Sequence, residues 1–398
     1  MLLPFDDRSF LASELELDAW AHRLDERILS RRWAGRLRRA LEAESIAAST
    51  SMEGVPVTVA DTLKILAGDP PESVSIQDRA LVLGYRDAMT YVQRRADDGN
   101  LRWDRELIVG VQDRVLAGDH GAGAGRLRSG AAWVRNTGSG EVVFEPPDHE
   151  EVPELVDEIC ERAERASWHR ALRAAWLHVA IAAVHPFKDG NGRTARVLAS
   201  LAMYRGAFRH PAFTSLEEWW GRHPKAYHDA FDCLGRRFDP NADVTAFVRL
   251  HVESQLQQVI ELAVRQRTEG RLWTIMENVL ADLGLPERLA NALYDTFFGR
   301  DVTTGYYRDL IDVSLATARN DLVAASAAGL ISAEGRTRGR RYVPGPRLRR
   351  LVADEIGEVE PDPRPIIAEL IRRTAVTLDR PDVAFVKPAQ GPLPGLEP

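Results

Sequence analysis

The chain has 398 residues, enough for two or three domains, and its 44% hydrophobic and 28% charged content is that of an ordinary soluble protein. A net charge of −7 gives no global attraction to nucleic acid or anionic membrane, and no apolar run reaches membrane-spanning length. Cys160 and Cys233 stand far apart in neither a disulfide framework nor a zinc spacing, and the opening MLLPFDDRSF lacks the charged and apolar regions of a secretion signal, so a reducing cytoplasm is the expected compartment.

From Leu15 to Ala48 the pattern is helical, with Trp20, Leu24, Ile28, Leu37 and Leu41 on recurring faces. The run leads into Ser49-Thr50-Ser51-Met52-Glu53-Gly54, where a four-residue spacing puts Ser49 and Glu53 on one face and Gly54 closes the helix. Taken alone, Glu53 reads as a solvated surface acid. Helices are expected from about residue 76 to 117. Gly121, Gly123 and Gly125 do not make a dinucleotide-binding turn, because the third glycine falls one position short. Alternation around Trp133-Val134-Arg135 and Val142 to Phe144, across a Gly-Ser-Gly turn, reads as a small β-hairpin. Another helix begins near residue 151.

The densest chemistry lies in His185-Pro-Phe-Lys188-Asp189-Gly190-Asn191-Gly192-Arg193-Thr-Ala-Arg196. Upstream, Ala171 to Val184 (ALRAAWLHVAIAAV) is apolar on all sides, as in a buried helix. Pro186 pushes His185 out of the helical region, so the histidine marks the helix end. Downstream, Thr194 to Tyr204 is again an apolar helix. Gly190 and Gly192 permit a turn with N–H groups facing inward, an anion nest at a helix start. Arg193 and Arg196, three apart, share a face of the first turn and can grip phosphate oxygens. Asp189 suits the Mg²⁺ that bridges phosphates, and His185 can take a proton near neutral pH.

Beyond this loop, Leu216 to Phe231 carries Glu217, Trp219, Trp220 and Tyr227 at helical spacing. Around 266–350 the chain changes character. A short helix from Val302-Thr303-Thr304 is followed by a second helix capped by Ser314, which runs toward Gly329. A Gly- and Arg-rich hairpin over 331–343 comes next. This order resembles a winged helix-turn-helix module, with Thr317, Arg319 and Asn320 facing outward and Asp321 as an opposing charge. Arg336, Arg338, Arg340, Arg341, Arg347, Arg349 and Arg350 make a local basic patch, so DNA and protein docking are both open. A helix around Pro365 to Thr374 precedes a Pro- and Gly-rich tail expected to be extended or disordered.

The loop resembles the Fic-domain signature, His-Pro-Phe-x-(Asp/Glu)-Gly-Asn-Gly-Arg-x-x-Arg, at every specified position. The resemblance implies a mainly α fold: a helical core with a small β-hairpin flap, joined here to the winged-helix module. The expected division is a helical arm over 1–60, a catalytic core over 61–265, the module over 266–350 and the tail region over 351–398. The implied activity is transfer of AMP from ATP, with Mg²⁺, to a Tyr, Ser or Thr hydroxyl of a protein target, the chain itself included.

By the same resemblance His185 is the general base and Asp189 the Mg²⁺ ligand. Gly190, Asn191 and Gly192 form the anion hole, and Arg193 and Arg196 hold the phosphates, Arg196 the γ-phosphate. Lys188 borders the phosphate site with no assigned role, and Tyr227 is the candidate for lining the adenine pocket. The hairpin at Trp133, Val134 and Arg135 resembles the flap that docks a target by strand addition. Ser49, Glu53 and Gly54 resemble an inhibitory motif, (Ser/Thr)-x-x-x-Glu-(Gly/Asn), in which Glu53 would occupy Arg196. In some relatives that glutamate supports removal of AMP, so reverse chemistry is open, as are homodimers and another nucleotide donor. The reading from a different class is a DNA-binding regulator whose Fic domain senses nucleotide.

Overall fold

The computed structural model describes residues 2–25, 31–136, 139–205, 216–300, 302–335, 340–354 and 363–380. Ile28 of the N-terminal pattern, Gly138 of the hairpin turn, Arg336 and Arg338 of the basic patch and the tail lie outside the described residues. Two compact units divide the chain, Met1–Ile260 and Glu261–Val386. No helix among the described residues is long and apolar enough to cross a membrane.

The first unit is helical. The N-terminal pattern becomes α1 (Leu11–Asp25) and α2 (Arg31–Ser51), followed by α3 (Val59–Leu66), α4 (Ile76–Ala96) and α5 (Arg105–Val115). Local chemistry sets these starts. Thr58 and Asp61 form a reciprocal capping box on α3, and Ser75 and Asp104 cap α4 and α5 by accepting backbone N–H bonds. Next come β1 (Val134–Arg135) and β2 (Val142–Phe144), antiparallel with Val134 opposite Phe144 and a register shift before Arg135. Then follow α6 (Val152–Arg165), α7 (Arg170–Val184), α8 (Asn191–Tyr204), α9 (Glu217–Arg222), α10 (Pro224–Asp229) and α11 (Thr245–Asp282).

The core of this unit is the α7–α8 pair. Trp176, Leu177, Val179, Ala180 and Ile181 on α7, and Ala195, Val197, Leu198 and Leu201 on α8, have no exposed surface. Helices α4 and α5 pack against α8, and α2 packs against α3, α4 and α9. The arm bearing Glu53 is therefore part of the helical body around α8. Its last turn stops at Ser51, so Glu53 lies two residues past the helix rather than on its face. Gly54, at φ +80°, makes the left-handed turn that ends it.

In the second unit, α12 (Ala290–Phe297) precedes α13 (Thr304–Ile311), a turn through left-handed Asp312, and α14 (Leu315–Ala327). Thr303 and Ser314 cap the two helices by accepting N–H bonds from Tyr306 and Thr317. The strands β3 (Ile331–Glu334) and β4 (Arg341–Pro344) pair antiparallel, and Val302 bridges to Tyr342. Then come α15 (Pro346–Asp354) and α16 (Pro363–Thr377). Asp321 does not face outward: it is 5% exposed, and Arg288 donates to both its oxygens at 2.7 and 2.8 Å while the Tyr307 hydroxyl donates at 3.1 Å. The sequence pattern had set it against DNA contact, but the structure neutralises it inside the unit.

Candidate active site

The loop between α7 and α8 is held open by its own side chains. His185 ends α7 in the left-handed region (φ 48°, ψ 58°), a conformation that costs a non-glycine residue roughly 1–2 kcal/mol. Asn191 staples the turn: its Oδ1 accepts from the Phe187 N–H and its Nδ2 donates to the Phe187 carbonyl, both at 2.9 Å. Asn191 is 5% exposed, so its side chain serves the loop and only its backbone N–H can face a ligand. Gly190 (φ +81°) caps α8, and a β-carbon there would press on Val115 and Leu116. The first intrahelical bond of α8 is Thr194 N–H to Gly190 O, so the amides of Asn191, Gly192 and Arg193 precede it. Three N–H groups and the positive end of a helix dipole suit an anion.

The two arginines differ. Arg193 is 2% exposed, and among the described residues its Nε and Nη1 have no hydrogen-bond partner. Its Nη2 makes one long contact, 3.4 Å, to Asp189 Oδ1. Buried guanidinium donors are costly to leave unpaired, which makes this an anion site in waiting. Arg196, 3% exposed, is saturated. It donates to Ser49 Oγ at 3.0 Å, the Ser49 carbonyl at 3.1 Å, Glu53 Oε1 at 2.8 Å and the Tyr227 hydroxyl at 3.0 Å. Burial alone would raise the Glu53 carboxyl, but the Arg196 and Arg193 guanidiniums outweigh it and hold the carboxyl below its ordinary range. The carboxylate lies over Gly192, where any β-carbon would collide with it.

His185 is half-buried, and burial lowers its pKa below the ordinary histidine value. It is therefore neutral at pH 7. Its Nδ1 lies 3.3 Å from the Ala182 carbonyl, which fixes the N–H on that nitrogen and leaves the Nε2 lone pair free to accept a proton. Asp189 is exposed; its Oδ1 accepts from the Gly190 N–H at 2.5 Å. Lys188 is also exposed and reaches away from the loop, donating to the Gly121 carbonyl at 3.3 Å. Trp133 is 52% exposed on the hairpin, beside half-buried Val134 and exposed Arg135.

Tyr227 is 6% exposed, its hydroxyl meets Arg196 and lies 3.3 Å from His178 Nε2, and its ring packs on Trp220 and Phe231. These contacts back the arginine.

Other supports carried no sequence signal. Gln112, fully buried, donates to the Asp189 carbonyl at 3.0 Å and accepts from the Gly125 N–H at 2.8 Å, so it pins the loop to the segment before the hairpin. Tyr85 and Glu217 form a close hydrogen-bonded pair, and burial and that carboxylate push the Tyr85 hydroxyl well above its usual pKa. Arg128, beside exposed Arg126 in the same Gly-Arg-Leu-Arg run, is 7% exposed. Strand alternation puts residues two apart on one face, so the pattern could not have separated the two.

Residues 102–203 match the Fic/DOC family. The chain is 29% identical over 202 residues to the protein adenylyltransferase Fic of Nematostella vectensis, covering 50% of this chain and 44% of that one. It is also 29% identical over 169 residues to the protein adenylyltransferase fic-1 of Caenorhabditis elegans, covering 40% and 31%. The chain thus spans less than half the length of these curated relatives. Among solved structures, a Fic family protein from Desulfovibrio desulfuricans G20 superposes with a TM-score of 0.55 at 19% identity, over 86% of this chain and 98% of that one. Fic-1 from C. elegans superposes with a TM-score of 0.50 at 25% identity, over 64% and 70%. The signature loop, helix α7 and all but the last residue of α8 lie within residues 102–203, the part of the chain that matches the Fic/DOC family.

Proposed function

We propose that this protein transfers AMP from ATP to a hydroxyl of a protein target and that Glu53 restrains the reaction. The observation that carries the reading is the buried Arg193 guanidinium with unpartnered donors beside the three leading amides of α8. Such a cradle binds a phosphate chain. The names of the curated relatives support the choice of AMP as the transferred group.

In this reading the target's hydroxyl oxygen attacks the α-phosphorus, the bond to the pyrophosphate oxygen breaks, and His185 Nε2 takes the hydroxyl proton. Arg193 and the amides of Asn191, Gly192 and Arg193 stabilise the charge that builds on the phosphate oxygens. Asp189 fits Mg²⁺. Its carboxylate is exposed at the mouth of the cradle, and no group of three or more candidate ligands exists among the described residues. A single carboxylate completed by phosphate and water is how this ion is usually held. When bound, Mg²⁺ would neutralise phosphate charge and orient the leaving group. Glu53 keeps Arg196 from the γ-phosphate and fills the space above Gly192. The flap, with Trp133, Val134 and Arg135, would hold the target segment by strand pairing.

The test is mass spectrometry of the full chain after incubation with ATP and Mg²⁺. The Glu53→Gly form should gain AMP on a hydroxyl side chain, the unaltered chain far less, and the His185→Ala, Glu53→Gly form none. A Glu53→Gly chain that binds ATP yet carries no covalent nucleotide removes the reading in favour of a nucleotide sensor.

A second reading concerns the second unit: contact with duplex DNA through α14. What favours it is the inward placement of Asp321, which leaves Leu315, Ala316, Arg319, Asn320 and Val323 exposed on the helix. The stretch 313–353 has eight arginines (319, 336, 338, 340, 341, 347, 349 and 350) against Asp321 and Glu334. Small apolar groups with one Arg and one Asn suit a major groove. Fluorescence anisotropy of the full chain on a labelled duplex should show binding that weakens steeply between about 50 and 200 mM salt. Arg319→Glu should weaken it further. Binding that ignores both salt and Arg319→Glu would leave protein docking as the role.

A further inference from the structure

The reaction as proposed gives Arg128 no part, yet this residue joins more of the site than any other side chain described above. Its Nε donates to the His185 carbonyl at 2.8 Å, and its own backbone N–H donates to the Pro186 carbonyl at 2.9 Å. Its Nη1 donates to the Gly130 carbonyl at 2.9 Å and its Nη2 to the Pro147 carbonyl at 2.5 Å. Gly130 leads into β1, and Pro147 follows β2. One guanidinium therefore closes the two feet of the hairpin and, from the same plane, grips the carbonyl of the general-base residue. The neighbouring Leu127 forms an antiparallel bridge with Phe187, so the hairpin base and the signature loop run side by side as a short ladder.

Two features mark this as more than packing. All the hydrogen-bond acceptors of Arg128 among the described residues are backbone carbonyls, so these contacts set chain geometry, and Asp148 acts on the group through its charge. His185 also sits in the left-handed region without being glycine, a state that persists only where the surroundings hold it. Turning the His185 carbonyl turns its Cα and swings the ring. A planar fork of five N–H groups can hold several carbonyls at fixed angles, which an ammonium cannot.

We propose that Arg128 is a positioning residue that makes the seating of the flap and the aim of the His185 ring a single event. A target strand docked on a seated flap then meets an imidazole already aimed, whereas a lifted flap leaves the base misdirected and spares ATP from stray attack. The consequence for catalysis rests on the transfer reaction proposed above; the mechanical coupling does not.

The experiment uses the full chain with Arg128→Met and Arg128→Lys, each alone and with Glu53→Gly. Amide hydrogen exchange is followed in peptides covering the hairpin and residues 182–189, where Phe187 N–H is protected by Asn191. Arg128→Met should speed exchange in both segments together, by about tenfold or more, while α4 and α7 before residue 182 keep their protection. ATP affinity, read by calorimetry, should stay within about twofold, because the cradle at Asn191 to Arg193 is untouched. With Glu53→Gly, turnover should fall about 100-fold at unchanged KM for ATP, the scale expected of a misplaced base. Lysine should recover part of the turnover. Faster exchange in the hairpin alone, with 182–189 still protected, overturns the coupling. Loss of ATP affinity together with protection throughout the unit overturns it too, by making Arg128 a plain structural residue. If Glu53→Gly itself labels no protein, the transfer reaction falls, and joint or separate exchange of the two segments still decides the coupling.

Discussion

Arg193 and Arg196 stand three residues apart on one helix, are 2% and 3% exposed, and lead opposite lives. Around Arg193 the protein leaves buried donors unpaired beside unpaired helix amides. Around Arg196 it supplies Glu53, Ser49 and Tyr227 from two other stretches of chain. Residue type and burial are the same, so the difference lies in what the fold brings to each. The site is divided into a half prepared for an external anion and a half occupied by an internal one. In the proposed reaction, ATP would enter such a site and be held short of its reactive placement, because the two halves are needed together only for the full triphosphate.

That division can be broken most directly by comparing the two guanidiniums. Arg193→Met should weaken ATP binding by about 10- to 100-fold, the loss of a charge-assisted contact, while Arg196→Met should change it by less than about threefold because that group is already engaged. Calorimetry on the otherwise unaltered chain decides; equal losses would mean that both halves meet the nucleotide in the resting state. Gly192→Ala sharpens the point. Its β-carbon collides with the Glu53 carboxylate and should weaken the pair with Arg196. It also fills the space a phosphate needs, so labelling should remain at least about tenfold below that of Glu53→Gly.

Asn191→Ala addresses the support common to both halves. It leaves the Phe187 N–H and carbonyl without partners in a buried loop, which costs about 1–3 kcal/mol and should lower the melting temperature by several degrees. An unchanged melting temperature would show that the loop holds itself without the staple. The smallest effect is on pH. A histidine lowered by burial is deprotonated above its shifted pKa, so activity should rise with pH and level off below the usual histidine value of 6.5. An acid limb centred above 6.5 in the Glu53→Gly form would mean that the base is solvated or is another group.

How far the sequence carried can be judged residue by residue. The helix–loop–helix around 185–196 was legible because its determinants are local: an apolar run, a proline after the histidine, two glycines and arginines at helical spacing. Ser314 and Thr303 were likewise readable as caps. The run from Leu15 to Ala48 was legible as helical, and its described parts lie in α1 and α2. The contact of Tyr227 with Arg196 was not legible, because aromatic spacing says that a ring is buried, not which polar group its hydroxyl will meet. The inward placement of Asp321 was not legible for a related reason: its partners Arg288 and Tyr307 lie 33 and 14 residues away.

By itself, then, the order of amino acids determined the chemistry available at the turn after α7: a base, an acid, a nest of amides and two guanidiniums within twelve positions. Tertiary structure alone decided how those groups are used. It carried Glu53 across 143 residues to one arginine and left two donors of the other without partners among the described residues, and it laid Arg128 over the His185 carbonyl from 57 residues away. Local sequence fixes which groups a short segment can present, since neighbours along the chain share a turn. Partners brought from distant segments depend on how whole helices pack, and no short stretch of sequence encodes that.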